Sequence, residues 1–202
     1  MKQKFFIVVL IFCSFFSQAQ TFYDSTRTHI SHTSTVCIPI PVSGLPSKIE
    51  TVFGLASCCF NITHTFIPIL VIALESPDGT RITLASGLAG SGDSLSNTCV
   101  AMNGVNGDIS NGNTPYAGTY IPQQSLNVLN NGQDPNGIWK LCIADTYFAG
   151  ETGSLHNFSI QFSFYPPPDP PQPIVVCNYC TCPGGVDTCD LLPDMTASAV
   201  CI

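Results

Sequence analysis

The sequence has 202 residues and a net charge of −7 at pH 7, and only 9% of its residues are charged although 45% are hydrophobic. Nucleic acids and anionic membrane surfaces are recognised by clusters of Lys and Arg, so a chain with 6 such residues against 13 acidic ones is not expected to bind either. This length accommodates one β domain of ordinary size with short extensions.

The N-terminus has the pattern of a secretion signal. Lys2 and Lys4 precede an apolar run over residues 5–16, which is shorter than the roughly 20 residues that span a bilayer. Ser17 and Ala19 are small residues at the −3 and −1 positions of a cleavage site. We predict a signal peptide over residues 1–19, hence a secreted protein, extracellular or at the cell surface, with no membrane segment after cleavage.

Short apolar runs separated by turn sequences fill residues 20–165 and predict an all-β domain. The last run is the clearest, because Phe158, Ile160 and Phe162 alternate with polar residues, as in a half-buried strand. Together with Trp139 and Leu141, these residues are predicted to form the core. Turn sequences such as Asn131-Gly132 lie between the runs, and no amphipathic helix is found. The predicted strands cover residues 36–42, 49–55, 67–74, 80–85, 138–144 and 155–164.

A proline-rich run follows the β domain. Proline favours extended polyproline II structure, so residues 166–176 are predicted to be a semi-rigid linker. Residues 177–202 are rich in cysteine and end on an apolar stretch, which we interpret as the start of a further, truncated module.

Cysteines behind a secretion signal predict disulfides. Cys58 and Cys59 are adjacent and must point to opposite faces of a strand, so different partners are expected for them, with Cys99, Cys142 and then Cys37 as candidates. Either an odd number of bridges crosses the linker, or each half of the chain leaves one free thiol. Zinc binding by the tail is disfavoured because no histidine lies near its cysteines. The ten candidates are Cys37, Cys58, Cys59, Cys99, Cys142, Cys177, Cys180, Cys182, Cys189 and Cys201.

A series of short segments carries a family resemblance. In chain order they are Val42–Pro46, Ile62–Thr65, Leu74–Thr80, Tyr120–Pro122, Asn131–Gly132, Asn136–Leu141, Asp145 and Gly153–Leu155. Over residues 40–164 the chain resembles the P domain (P/Homo B domain) that follows the catalytic domain in subtilisin-like proprotein convertases. The resemblance implies a jelly-roll β-barrel or sandwich of about eight strands, and His64 is expected to be a hydrogen-bonded structural residue.

Calcium is a candidate ligand, because it prefers hard oxygen ligands such as carboxylates. In some members of the family that the chain resembles, carboxylates at the positions of Ile69 and Glu151 help to hold calcium. The candidate residues are Asp78, Asp134, Asp145 and Glu151. The family's usual Asp-Leu is replaced by Ile69-Leu70, and its usual Trp in the final strand by Phe158. Turn formation at Asp134 and a buried hydrogen-bonding role for Asp145 are the alternatives.

No catalytic residues are predicted. A subtilisin-type site needs Ser, His and Asp on an α/β domain of about 270 residues, and none of its motifs occurs here. Ser91 and Ser94 lie in a glycine-rich stretch interpreted as a surface loop. His29 and His32 are expected to precede the domain, and His156 to face outward on a turn.

Two functions are compatible with these features. The first is a non-catalytic accessory or adhesion module at the N-terminus of a larger exported protein, with a protein or glycan surface as its ligand. The second is a stabilising domain for a subtilisin-like serine endopeptidase whose catalytic domain lies outside this chain. The order of signal peptide and β domain favours the first.

Overall fold

The computed structural model describes residues 19–32, 34–90, 92–146, 150 and 152–171, together with the backbone of 174–177 and 189–192. Residues 1–18 of the predicted signal peptide, Glu151 and most of the cysteine-rich tail lie outside this part of the chain. Within the described residues, no helix is long and apolar enough to cross a membrane. The predicted domain boundaries stay predictions.

Short strands make up almost all of the regular structure. They are β1 (Gln20–Asp24), β2 (Thr28–Ser31), β3 (Thr35–Val42), β4 (Phe53–His64), β5 (Leu70–Glu75), β6 (Arg81–Ser86), β7 (Ser94–Val100), β8 (Tyr116–Tyr120), β9 (Gly137–Asp145), β10 (Thr152–Phe164), β11 (Ile174–Cys177) and β12 (Cys189–Leu192). Single 3₁₀ turns lie at Ile67–Ile69, Ile109–Asn111 and Leu126–Val128.

The strands form two facing sheets. The first has the order β1-β10-β4-β7-β8, with β2 also paired to β10, and the second has the order β3-β9-β5-β6. The β7–β8 pair is parallel and the other pairs are antiparallel, while β11 and β12 form a separate hairpin. The predicted all-β class is confirmed as a sandwich, to which β1 and β2 add two strands before the first predicted one at residue 36. Jelly-roll connectivity stays a prediction.

The predicted core residues lie between the sheets. Phe158, Ile160 and Phe162 of β10 are completely buried, as are Trp139 and Leu141 of β9. The Trp139 indole meets the ring of Phe162 edge to face, with 5.4 Å between ring centroids. Its Nε1 donates a hydrogen bond of 2.8 Å to the carbonyl oxygen of Pro135, so the one polar atom of the indole is satisfied inside the core.

Two predicted strands are displaced along the chain. The strand predicted over residues 49–55 begins at Phe53 and continues to His64, while Ile49 is buried in the preceding loop, bonded to the backbone of Gly132 and Gln133. The strand predicted over 67–74 begins at Leu70, because Pro68 lies in a 3₁₀ turn and has no N–H to give to a sheet.

The first half of the predicted linker lies against the sandwich. We call residues 166–171 the strap. Pro166 is buried, and the carbonyl oxygen of Pro167 accepts a hydrogen bond of 3.2 Å from Asn127 Nδ2. The Asp169 carboxylate accepts a second bond from Asn127 Nδ2 at 2.8 Å and another from Ser125 Oγ. The strap is therefore anchored to the domain, which a freely projecting spacer would not be.

Candidate functional site

A polar groove of about 430 Å³ lies at one end of the first sheet, where β2, β4 and β10 meet the loop before β7. It is lined by His29, Thr63, His64, Thr65, Asp93, Thr152, Gly153 and Ser154. Hydroxyl and imidazole groups dominate this lining, and Asp93 is its one carboxylate. The groove therefore offers many uncharged donors and acceptors to a ligand.

The pairing of four neighbouring strands places polar side chains along the floor of the groove. His29 on β2 lies opposite Ser154 on β10, Ser154 lies opposite Thr63 on β4, and Thr63 lies opposite Ser94 on β7. Residues that are opposite each other across strands share one face, so these side chains form a row along the outer face of the sheet. The Nε2 of His156 lies 2.9 Å from Thr63 Oγ1 and joins this row.

Two of these histidines lie in strands, contrary to the predictions from the sequence. His29 belongs to β2 within the first sheet rather than preceding the domain, because β2 pairs with the N-terminal part of β10. His156 lies inside β10 rather than on a turn. β2 has only four residues, too few for an alternation of apolar and polar side chains to be recognised, so it could not be predicted from the sequence. The predicted strand over residues 155–164 already contained His156, so placing this histidine on a turn conflicted with that strand.

A buried histidine–aspartate pair lies beneath the groove. His64 Nε2 is 3.2 Å from Asp145 Oδ2, and both side chains are completely buried. His64 Nδ1 is 3.2 Å from the backbone N–H of Phe66. A neutral imidazole that donates from Nε2 to the carboxylate can accept this N–H at Nδ1, so both ring nitrogens are satisfied. Gly153 lies opposite His64 in the neighbouring strand, where any larger residue would collide with the imidazole ring.

This pair does not have the contacts of a catalytic relay. In a serine protease the histidine contacts a carboxylate through one nitrogen and the nucleophilic hydroxyl through the other. His64 contacts Asp145, but its second nitrogen meets the backbone of Phe66. The described hydroxyl–imidazole pair, Thr63 with His156, lies on the outer face of the sheet. Ser94 is on β7, and Ser91 lies outside the described residues.

The Asp78 carboxylate is occupied by hydrogen-bond donors. Asp78 accepts bonds from Ser76 Oγ at 2.6 Å, from the Thr80 N–H at 2.8 Å and from Asn131 Nδ2 at 3.2 Å. The Ser76 hydroxyl is the main reason that the pKa of Asp78 is lowered to about 2. Calcium needs six to eight oxygen ligands, whereas these neighbours present N–H and O–H groups.

The carboxylate of Asp134 is also occupied by hydrogen-bond donors of its own turn. Asp134 accepts bonds from the Asn136 N–H at 2.9 Å and from Asn136 Nδ2 at 2.7 Å, and the backbone bond is the main cause of its lowered pKa. Asp145 is held by His64. No group of three or more His, Cys, Asp or Glu side chains in the described part of the chain is arranged to hold a metal. Calcium binding stays a prediction, since Glu151 is not described.

Two disulfides cross neighbouring strands. Cys59 on β4 bonds Cys99 on β7, and Cys37 on β3 bonds Cys142 on β9. In each bridge the two cysteines are direct register partners. Cys58 has no disulfide partner, contrary to the first expectation, because its side chain points into the core and is completely buried. Among the five cysteines of the β domain this agrees with the alternative of one free thiol. The side chains of Cys177, Cys180, Cys182, Cys189 and Cys201 are not described.

Two solved structures are similar to the chain. The crystal structure of a serine protease of Aeromonas sobria gives a TM-score of 0.41 at 13% sequence identity and covers 72% of this chain and 27% of the protease chain. The structure of the infectious bursal disease virus Gt strain gives a TM-score of 0.30 at 11% identity and covers 79% of this chain and 36% of the viral one. The chain thus spans little more than a quarter of the protease chain. No curated protein sequence matches it.

The sequence model of one family covers more than half of the chain. The family is described as "Proprotein convertase P-domain", and the match extends over residues 56–162. It contains most of β4, the buried His64–Asp145 pair, the turn carboxylates of Asp78 and Asp134, and the core strand β10 up to Phe162. The chain therefore belongs to the proprotein convertase P-domain family, whose members are accessory domains of subtilisin-like proteases.

Proposed function

We propose that this chain is a secreted, non-catalytic P-domain that acts by binding and stabilising a subtilisin-like catalytic domain carried on another polypeptide or further along its own. Family membership over residues 56–162 is the observation that supports this most strongly. Two cross-strand disulfides and the signal-like N-terminus support export to an oxidising compartment.

The side-chain chemistry favours binding over catalysis. His64 is committed to Asp145 and Phe66 in the interior, so it has no nitrogen with which to activate a nucleophile. The groove above it presents Thr63 and Ser154 together with imidazoles, which suit hydrogen bonding to a partner surface. The groove is therefore our candidate for the contact with the partner.

A stabilisation experiment tests this proposal. A separately expressed subtilisin-like catalytic domain is heated with and without the purified full chain, and its melting temperature and peptidase half-life are measured. We expect both to rise with the chain present, while the chain alone releases no product from a generic peptide library. Absence of any stabilisation, or peptide turnover by the chain itself, would contradict the proposal.

A matched pair of variants locates the contact. Thr63→Arg puts a long charged side chain into the groove, whereas Ser57→Arg puts the same side chain on the outer face of the same strand, six residues away and about 20 Å distant. We expect Thr63→Arg to weaken the stabilising effect strongly and Ser57→Arg to leave it nearly unchanged. Equal effects of the two variants would remove the groove from the proposal.

A neutral glycan is the second candidate ligand, because the row from His29 through Ser154 to Thr63 offers hydroxyl and imidazole groups without a fixed charge. Retention of the chain on an array of neutral glycans, together with its loss in Thr63→Val, would favour an adhesion role. The stabilisation experiment would then be negative, so the two functions are distinguishable.

A further inference from the structure

The end of the sandwich opposite the groove carries exposed apolar side chains. β4 reaches the groove at His64 and begins at Phe53, beside Val52, which is 49% exposed. Phe164 continues the inward-facing series of β10 but is 45% exposed, and Tyr165, the next residue, is 76% exposed. We call Val52, Val128, Phe164 and Tyr165 the apolar end. Exposed apolar side chains gathered at one end of a domain mark interaction surfaces.

Backbone and ring contacts fix the positions of Val52, Phe164 and Tyr165. The Tyr165 N–H donates a 2.8 Å bond to the carbonyl oxygen of Val52, and the Phe164 ring lies 5.1 Å from the ring of Phe53 between centroids. Tyr165 has a φ of +53°, which is uncommon for a residue other than glycine and is unfavourable. This conformation turns the chain out of β10 and into the strap.

The strap keeps the following residues near the apolar end. Asn127 and Ser125 hold Asp169 through its carboxylate, and exposed Val128 follows Asn127 in the same 3₁₀ turn. Four residues, 170–173, separate Asp169 from the first residue of β11. Five Cα–Cα steps therefore lead from Asp169 to the start of β11, at most about 18 Å of extended chain, so β11 begins within that distance of Asp169 at this end of the sandwich.

We propose that the β11–β12 hairpin of this chain packs on the apolar end. A two-stranded hairpin is marginally stable by itself in water, so it needs a surface that removes its backbone bonds from solvent. The strap delivers the hairpin to exposed valine and aromatic side chains that have no other cover among the described residues. This inference concerns the chain alone and does not depend on the proposed function.

Amide hydrogen exchange of the full chain, followed by mass spectrometry, tests the packing. We expect the β11–β12 amides to exchange slowly in the wild type. In Tyr165→Gly they should exchange about tenfold faster or more, the factor expected from losing the burial of one large apolar side chain. Glycine adopts φ near +53° freely, so this variant removes the ring without adding backbone strain. Tyr23→Ser, which removes a 62% exposed tyrosine from β1, is the matched control and should leave the hairpin protected.

Val128→Ser repeats the test at a residue outside the strands. It is the deciding variant if Tyr165→Gly also speeds exchange throughout β10, since the effect of Tyr165→Gly on the hairpin could then come from loosening that strand. Unprotected hairpin amides in the wild type would overturn the proposal. Protection that survives Val128→Ser and Tyr165→Gly unchanged would also overturn it, because the hairpin would then be stabilised by something other than the apolar end.

Discussion

The side-chain amide of Asn130 takes the place of a neighbouring strand at Leu55. Its Oδ1 accepts a 2.7 Å bond from the Leu55 N–H, and its Nδ2 donates a 3.1 Å bond to the Leu55 carbonyl oxygen. β4 pairs with β7 only from Cys58 onward, so the amide satisfies a backbone that has no strand partner on that side. Gly54 lies directly beneath the amide and leaves the room for it.

Asn130→Ala is expected to destabilise the domain by about 2–6 kcal/mol, because it leaves two backbone groups of a buried residue without partners at about 1–3 kcal/mol for each unsatisfied group. Urea unfolding measures the change. Gly54→Ala should have a similar effect by pushing the amide away. Asn113→Ala, at an exposed position, is the control and should be nearly neutral. A cost for Asn130→Ala no larger than that of Asn113→Ala would contradict this role.

Trp139→Ala should cost about 3–5 kcal/mol, the usual penalty for removing a large aromatic side chain from a core. The neighbouring Ile138 is 48% exposed on the other face of β9, so Ile138→Ala should cost much less. Thermal unfolding followed by circular dichroism compares the two variants. An unchanged melting temperature in Trp139→Ala would refute the assignment of Trp139 to the core.

Local alternation predicted the parts of the fold whose faces differ strongly in polarity. In β10 the buried phenylalanines alternate with Ser159 and Gln161, so both the strand and its buried face were correctly predicted. The predicted bounds of β4 were displaced because Cys58 and Cys59 are identical residues on opposite faces of the strand. They therefore obscure the alternation of apolar and polar residues that would have marked it. β7 and β8 were missed because their sequences are mostly small and polar, and their partners lie far away in the chain.

The groove depends on contacts between distant residues, so the sequence identified its members only in part. The resemblance to the P domain pointed to His64 and Asp145, which are 81 positions apart and meet through the packing of the two sheets. His29 and Ser154 become neighbours only through the pairing of β2 with β10. Single-sequence patterns hold no information on that register.

Cys58 should be the one free thiol among the five cysteines at positions 37, 58, 59, 99 and 142. Burial raises its pKa to about 12, so the thiol stays almost entirely protonated at pH 8, whereas the thiolate is the reactive form. Iodoacetamide should leave Cys58 unmodified in the native protein and label it after unfolding without reductant. Rapid labelling of the native protein would contradict its placement in the core.

The two disulfides should stabilise the domain by similar amounts. Cys59–Cys99 joins residues 40 positions apart and Cys37–Cys142 joins residues 105 apart, for which the chain-entropy treatment gives about 4 and about 5 kcal/mol. Urea unfolding of the two double Cys→Ala variants measures these contributions. Reductant should also cause aggregation, since few charged residues protect the exposed strands. Unchanged unfolding midpoints in both double variants would contradict the stabilising role.

The Asp78 carboxylate should make stability depend on pH in the acid range. Its pKa is about 2 in the folded protein, below the usual 3.8, because Ser76 Oγ and the Thr80 N–H donate to the ionised form. A lowered folded-state pKa stabilises the fold above the unfolded value, and this contribution disappears as the pH falls from about 4 towards about 2. Asp78→Asn should therefore be less stable than the wild type at pH 6, and the difference should shrink towards pH 2.

Urea unfolding of the wild type and Asp78→Asn at pH 6, 4 and 2.5 measures that difference directly. Asp134 also has a lowered pKa, but it is present in both proteins, so its contribution cancels. Ser76→Ala removes the largest cause of the shift and should raise the pKa of Asp78, which NMR titration of the carboxylate would detect. A stability difference that stays constant from pH 6 to pH 2.5 would show that the ionised carboxylate contributes nothing beyond the shape of the turn.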